Sequence, residues 1–235
     1  MNEIIRKRRS IRKYDPAKLD TASLEKVRAK IKDLKPLFAE INYHIEITDK
    51  VKRAIGINAP HYLMLNSEEK EGFYENIGFI GQQLDLFFSA EGIGSCWVGM
   101  AKPEKSQAAE TALPYVISIA FGKPAEPLHR NLSEFKRKPL SAISEGSDER
   151  LEAARLAPSG VNSQNWYFAA RDGNIHCYRK KAISLLGNFM NKLACIDLGI
   201  AICHLAEESK DFRFEKQTGV PERKGFVYTG TVAGR

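Results

Sequence analysis

Cysteine is scarce in this chain: Cys96, Cys177, Cys195 and Cys203 in 235 residues, with no Cys-x-x-Cys among them. Thiols scattered in this way give no metal-ligand spacing and no redox pair, and they read as reduced, small core hydrophobes of a cytoplasmic protein. Long apolar runs are missing as well. No stretch approaches the roughly 20 uninterrupted apolar residues of a membrane span, so no membrane partner is expected. The N-terminal MNEIIRKRRSIRKYD is basic but has no apolar segment behind it, which argues against a secretory signal. There is no GxGxxG after a strand, no GxxxxGK[ST], no HExxH and no GxSxG. Five histidines (His44, His61, His129, His176 and His204) are dispersed without a readable pattern of carboxylates. His204 reads as a satisfied core or surface histidine rather than a catalyst. Chemistry, if the chain performs any, then belongs to a cofactor and not to a constellation of side chains.

What the sequence does have is an excess of positive charge, 36 Lys and Arg against 29 Asp and Glu. The basic residues are spread along the chain, and no RRM, zinc or helix-turn-helix signature accompanies them, so no nucleic-acid partner is expected. Two local clusters stand out, Arg6 to Arg12 and Lys136 to Lys138, and a small phosphate ligand accounts for both. With 43% hydrophobic and 28% charged residues, the chain can build one globular unit or two small ones.

The chain also repeats an order of elements. NAPHYLMLNSEE reads as a turn and a buried strand. A helix follows through Ile77, Ile80, Leu84, Phe87 and Phe88, ending at Gly92 and Gly94, then a short strand through Trp97 and a β-branched strand YVISIAFGKP. In the second half SQNWYFAARDGN reads as turn and strand. CIDLGIAICHLAEE is a helix with Ile196, Ile200, Cys203 and Leu205 on its apolar side. A short strand through Phe212 and Phe214 and the strand GFVYTGTVAGR complete the order. Ahead of each set, RRSIRKYD leads into LEKVRAKI and KRKPLSAIS into DERLEAARLAP. The expected organisation is a first half at 1–137 and a second at 138–235, pairing with pseudo-twofold symmetry and placing a ligand site at their seam.

Four segments carry chemistry. In RRSIR, the guanidinium groups of Arg8, Arg9 and Arg12 and the Ser10 hydroxyl lie within five residues. If the segment is extended, Arg8, Ser10 and Arg12 share a face suited to a phosphate; taken alone, the run reads rather as a solvated basic tail. FKRKPL adds Lys136, Arg137 and Lys138. In AEGIGSCWVGM, the glycines allow close backbone approach, and the N–H groups of Ser95, Cys96, Trp97 and Val98 can face an electron-rich ring edge, unless the segment is simply a helix end beside a buried Trp. APSGVNSQNW sets Pro158, Ser159, Gly160, Asn162 and Gln164 against Trp166. A plain loop does not need so many hydrogen-bonding groups beside an aromatic wall, and the combination suits a flat, polar, heteroaromatic ligand.

RRSIRKYD resembles the N-terminal signature of the nitroreductase-like flavoproteins. APSGVNSQNWYF resembles their second signature, GIGSCWVGM with VISIAFGKP their third, and FKRKPL the basic segment that follows. The resemblance implies an α+β nitroreductase-like fold, antiparallel-rich sheets with packed helices, binding FMN at a dimer interface and moving electrons from NAD(P)H to a small-molecule acceptor such as a nitroaromatic or quinone. It implies that Pro158, Ser159, Gly160 and Asn162 line the isoalloxazine ring and that Ser95, Cys96, Trp97, Val98 and Gly99 sit beside it. Arg8, Arg9, Ser10, Arg12 and Arg137 would take the phosphate, while Gln164 and Trp166 would fix the loop. No side chain is placed as acid or base. The Pro-Ser-rich signature comes after the third one here, an order that resembles a small branch in which a pseudo-dimer is fused into one chain. A monomer with one FMN is therefore expected, because the second half has KRKPL where a full RRSxR would stand. Gln164-Asn165-Trp166 replaces the usual Gln-Pro-Trp, and Gly160 replaces a second Ser. A non-catalytic FMN-binding protein, or a scaffold that has lost flavin, is the alternative reading.

Overall fold

Asp20 ends an extended N-terminal stretch by capping a helix: its carboxylate accepts the Ser23 N–H at 2.7 Å, satisfying one of the free donors of the first turn. The computed structural model describes residues 2–52, 56–103, 111–181 and 187–234. In chain order they form helices α1 (Asn2–Ile5) and α2 (Thr21–Lys32), then strands β1 (Tyr43–Thr48), β2 (Val51–Lys52) and β3 (His61–Ser67). Helix α3 (Phe73–Ala90) precedes strands β4 (Gly94–Val98), β5 (Lys102–Pro103) and β6 (Tyr115–Gly122). Helix α4 (Leu140–Ile143), strand β7 (Ser144–Glu145) and helix α5 (Leu151–Leu156) lead to strands β8 (Trp166–Arg171) and β9 (Asn174–Lys180). Helix α6 (Gly187–Glu207) and strands β10 (Arg213–Glu215) and β11 (Phe226–Ala233) complete the chain.

The mixed α+β architecture has two main sheets. The first runs β1-β3-β6-β4 and the second β10-β11-β9-β8-β7. Every pairing in them is antiparallel except β7 with β8. Read from the opposite end, the second sheet gives β8-β9-β11-β10, which repeats β1-β3-β6-β4 strand for strand. The duplicated order is thus present, with one correction. The counterpart of β3 is β9, and SQNWYFAAR (β8) corresponds to β1, a strand the sequence reading passed over. Asp172 and Gly173, both at positive φ, turn β8 back into β9 as a two-residue hairpin. β9 escaped notice because NIHCYRK has little apolar alternation.

Helix α3 packs on strands of the first sheet, α6 on strands of the second, and the two helices pack most extensively on each other. Glycine makes the crossing possible. A Cβ on Gly78 would run into the backbone carbonyl of Ile196, and one on Gly199 into that of Glu75. The contact is reciprocal: position 75 stands to 78 as 196 stands to 199, as a local twofold axis requires. One continuous core joins both halves, from Leu63, Leu65 and Phe121 through Ile77 and Ile196 to Trp166 and Phe168. Helix α6 is the one described helix long and apolar enough to cross a membrane, and 67% of its apolar window is buried inside the protein. Its hydropathy reflects packing on several sides. All four cysteines are free and buried. His204 is fully buried, within hydrogen-bonding distance of Ala153 O and of the Gln82 amide nitrogen.

Candidate functional site

The site begins with the turn after α5. Gly160–Asn162 form a single 3₁₀ turn in which Val161 (φ 48°) and Asn162 (φ 57°) are left-handed, and Gln164 (φ 48°) follows. A β-branched residue in that region is a true outlier, so surrounding contacts must hold it there. They are numerous. Asp197, on α6, accepts the Gly160 N–H at 2.9 Å and the Ser163 hydroxyl at 3.2 Å. The Ser159 hydroxyl accepts the Gln164 N–H, and the Gln164 amide oxygen accepts the Lys138 N–H at 2.7 Å. Arg137 donates to the Asn162 amide oxygen at 2.7 Å and to Leu156 O, while the Asn162 amide donates to Lys136 O. Gln164 therefore ties the loop to the 136–138 segment together with Asn162, and Trp166, where β8 begins, is wholly buried. The Val161 side chain is left 91% exposed.

This loop forms one wall of a cleft with two connected compartments. The first, about 420 Å³, is lined by Arg9, Ser10, Arg12, Arg130, Glu134, Lys136, Arg137, Pro158, Ser159, Val161 and Asn162. The second, about 290 Å³, shares Ser10, Arg12, Pro158, Ser159 and Val161. It continues along Gly160, Cys96, Trp97 and Gly99 to Ile117 and the α6 side chains Leu193, Ile196, Asp197 and Ile200, with Phe189 and Met100 at the rim. The N-terminal segment and the end of β4 come from the first half of the chain, and the loop and α6 from the second.

The first compartment is strongly cationic. Five of its lining residues are Lys or Arg, against Glu134 as the sole acid among them. Burial, followed by repulsion from Arg130 and Arg8, pushes the Arg137 guanidinium down to about 9. Burial, then Arg8 and Arg9, brings Arg130 to about 10. The buried Arg137 Nε has no hydrogen-bond partner. Guanidinium groups crowded in this way are under-neutralised, and an anion with several oxygens would relieve them. Arg9 is partly satisfied by Glu126 at 3.3 Å.

Beyond the shared Ser10, Arg12 and Ser159 the second compartment is mostly apolar, with Asp197 on its wall; its carboxyl is pushed up to about 7 by burial, against the two hydrogen bonds that favour its charge. Behind Trp97 runs a buried polar chain. Trp97 Nε1 donates to the Gln82 oxygen at 3.2 Å, and the Gln82 amide donates to Asp85 at 3.1 Å. Ser95 Oγ donates to the same carboxylate, which lies 2.8 Å from Arg8 Nε. His204, pushed down to about 3 by burial, is neutral. Its Nδ1–H donates to Ala153 O, leaving Nε2 to accept from Gln82, an assignment made from the network itself.

Several sequence expectations change here. Arg8 does not share a face with Ser10 and Arg12. The segment is not a regular strand, and Arg8 is 1% exposed, held behind Ser10 by Asp85, while Arg9 turns to the cleft in its place. Ser95 and Val98 are buried within β4 and line neither compartment, whereas Cys96, Trp97 and Gly99 do. Nor do all the N–H groups of residues 95–98 face outward. Ser95 O accepts the Ile11 N–H, so Ser95 and, by alternation, Trp97 direct their backbone groups away from β6, and Cys96 and Val98 direct theirs toward it. Pro158, Ser159, Gly160, Asn162, Arg12 and Arg137 all reach the cleft. Sequence reasoning missed Arg130, Phe189, Leu193 and Asp197. Asp197 had a readable signal, as a carboxylate alone in the apolar run of α6; Arg130 and Phe189 had none.

The arrangement suits a ligand with a multiply charged anion at one end and a flat, largely apolar body at the other. No curated protein matches the chain. Among solved structures, the fold matches that of a protein described as a putative nitroreductase from Thermotoga maritima, at 23% identity and a TM-score of 0.64, over 98% of this chain and 92% of that one. A nitroreductase family protein from Clostridium difficile 630 aligns over 60% of this chain and 95% of its own, at 16% identity and a TM-score of 0.48. An FMN-dependent nitroreductase from Clostridium difficile R20291 aligns over 58% and 95%, at 17% identity and a TM-score of 0.45. The family model described as "Putative TM nitroreductase" matches residues 1–209, and the chain belongs to that nitroreductase family.

Proposed function

We propose that this chain is an FMN-dependent oxidoreductase that draws electrons from NADH or NADPH and delivers them to a nitroaromatic, quinone or related acceptor. The observation that carries the reading is the joining of a cationic compartment to an apolar one in a single cleft. Arg9, Ser10, Arg12, Arg130, Lys136 and Arg137 fit a phosphate, and the unpartnered Arg137 Nε is a donor in want of such an oxygen. Pro158, Ser159, Gly160, Trp97, Ile117 and Ile196 fit a flat ring system. FMN bound there would supply hydride acceptance and donation at its ring. The protein's own contribution is to orient that ring between the loop and β4, to neutralise the phosphate, and to exclude water with Leu193, Ile196 and Ile200. Met100 (52% exposed) and Phe189 (44% exposed) leave an apolar rim on which a second molecule can settle, which favours an enzyme over a mere flavin carrier. With both halves of the cleft in one chain, the working unit is a monomer in the cytoplasm.

The test is an absorption spectrum of the purified protein before and after addition of FMN and desalting, alongside its mass by light scattering. Flavin bands at about one per chain, bleached anaerobically by NADH or NADPH, are the expected result. A colourless protein after FMN loading removes the oxidoreductase reading, and bound flavin that neither nucleotide reduces leaves only a flavin-binding protein.

A further inference from the structure

The two central helices carry matched residues that do matched work in opposite halves. On α3, the Asn76 amide oxygen accepts the N–H groups of Leu37 and Phe38 at 2.8 and 3.0 Å, fixing the loop that leads into β1. On α6, Asp197 accepts from Gly160 and Ser163, fixing the loop that leads into β8. The reciprocal glycine contact relates position 75 to 196 and 78 to 199, so 76 corresponds to 197. In the α3 half a neutral amide anchors a loop in which no residue is at positive φ. The half that walls the cleft has instead a carboxyl group, buried to 3% exposure and lining the ring compartment.

We propose that Asp197 is a positioning residue for the flavin site: its ionised carboxylate holds the Pro158–Ser163 loop in its strained form, and loss of that charge loosens the loop and weakens flavin binding. The inference rests on the flavin reading above for its ligand but on the loop geometry alone for its mechanism. Three non-glycine residues at positive φ within four positions make a loop that relaxes unless it is tied. Among the described residues, the carboxylate is the one group that accepts from both Gly160 and Ser163. Protonation leaves it a single good acceptor.

The ionisable groups sharing its compartment are Arg12 and the Cys96 thiol. On the facing turn of α3 stands Glu75, whose side chain is engaged with Cys195. Burial has already raised the carboxyl to about 7, which puts the change within the ordinary working range. It also gives the sign. Above about pH 7 the anion anchors the loop; below it the neutral acid does so less well, and flavin affinity falls as pH falls.

The test uses the full chain. In amide spectra of the ligand-free protein, the Gly160 resonance should titrate with a midpoint between about pH 6 and 8, and should stand still in Asp197→Asn. Riboflavin is the binding probe, because its lack of phosphate removes that group's own titration. Wild-type affinity should be higher at pH 8 than at pH 6. Asp197→Asn should bind with the same affinity at both, close to the wild-type value at pH 6, and Asp197→Ala should bind about tenfold more weakly than wild type at pH 8, the loss of one charge-assisted hydrogen bond. Identical pH profiles in wild type and Asp197→Asn, or a Gly160 resonance indifferent to pH, overturn the proposal. If Asp197→Ala fails to fold, the Asp197→Asn profile decides alone. A titrating Gly160 resonance in a wild type that binds neither riboflavin nor FMN supports the anchor and removes the flavin reading instead.

Discussion

Arg12 lines both compartments of the cleft, and no side chain among the described residues pairs with its guanidinium. It is the cleanest probe of the anionic end, because its loss disturbs little else. Arg12→Gln should weaken FMN binding about tenfold, the magnitude of one charge-assisted contact, and leave riboflavin binding within about twofold; fluorescence titration with the two flavins checks this. Two buried residues make a second residue-scale prediction through pH. His204 is neutral in the fold, and the unfolded chain takes up its proton from about pH 6.5 downward, so this group costs stability as pH falls from there toward 3. Asp197 works in the opposite sense. Its folded-state value lies above the unfolded 3.8, so stability from this group grows as pH falls through 7. The slopes oppose each other in wild type. Removing one in Asp197→Asn should make the protein lose on the order of 2 kcal/mol more than wild type between pH 7 and 5, read from urea unfolding at both pH values. The cationic end of the cleft was legible because guanidinium groups announce themselves in RRSIR and FKRKPL. The identity of the facing side chains was not, since it depends on an irregular backbone that buries Arg8 and presents Arg9.

Among the elements, the crossing of α3 and α6 is the most exacting contact. The Gly78 and Gly199 backbones each press on the other helix, and a methyl group at either place must drive the helices apart. Gly78→Ala should destabilise the protein by about 1–3 kcal/mol, as overpacking of a close interior does, measured as a fall in urea midpoint at unchanged m. Helices and strands with strong periodicity were readable: α3, β3, β6, β8 and β11 all fall where the apolar spacing put them. β1 and β9 were not. YHIEIT is half-buried at the start of the first sheet, and NIHCYRK gains its place from pairing with both β8 and β11, a tertiary fact that no local propensity records. The Asp172-Gly173 pair was the available hairpin signal.

For the whole molecule, duplication was visible in the order of turns and helices, and the missing second RRSxR pointed to unequal sites, but the make-up of the second cavity was not legible. The counterpart of this cleft lies beside Phe38, Gly72–Glu75, Lys216 and Val227–Thr229. There the loop held by Asn76 carries Phe38, where the loop held by Asp197 carries Gly160, and the Phe38 ring packs on Phe214 and against Gly72. The Phe38 ring lines this cavity, and Arg179 is the one guanidinium among its lining residues, so the arginine cluster has no equal there. A symmetric homodimer spells every substitution twice, so neither of its sites can change without the other. In this chain Phe38 and Gly160 are separate letters. Selection, in the laboratory or outside it, can therefore rewrite one cavity while the other keeps its chemistry, and a single polypeptide can come to hold two unlike catalysts.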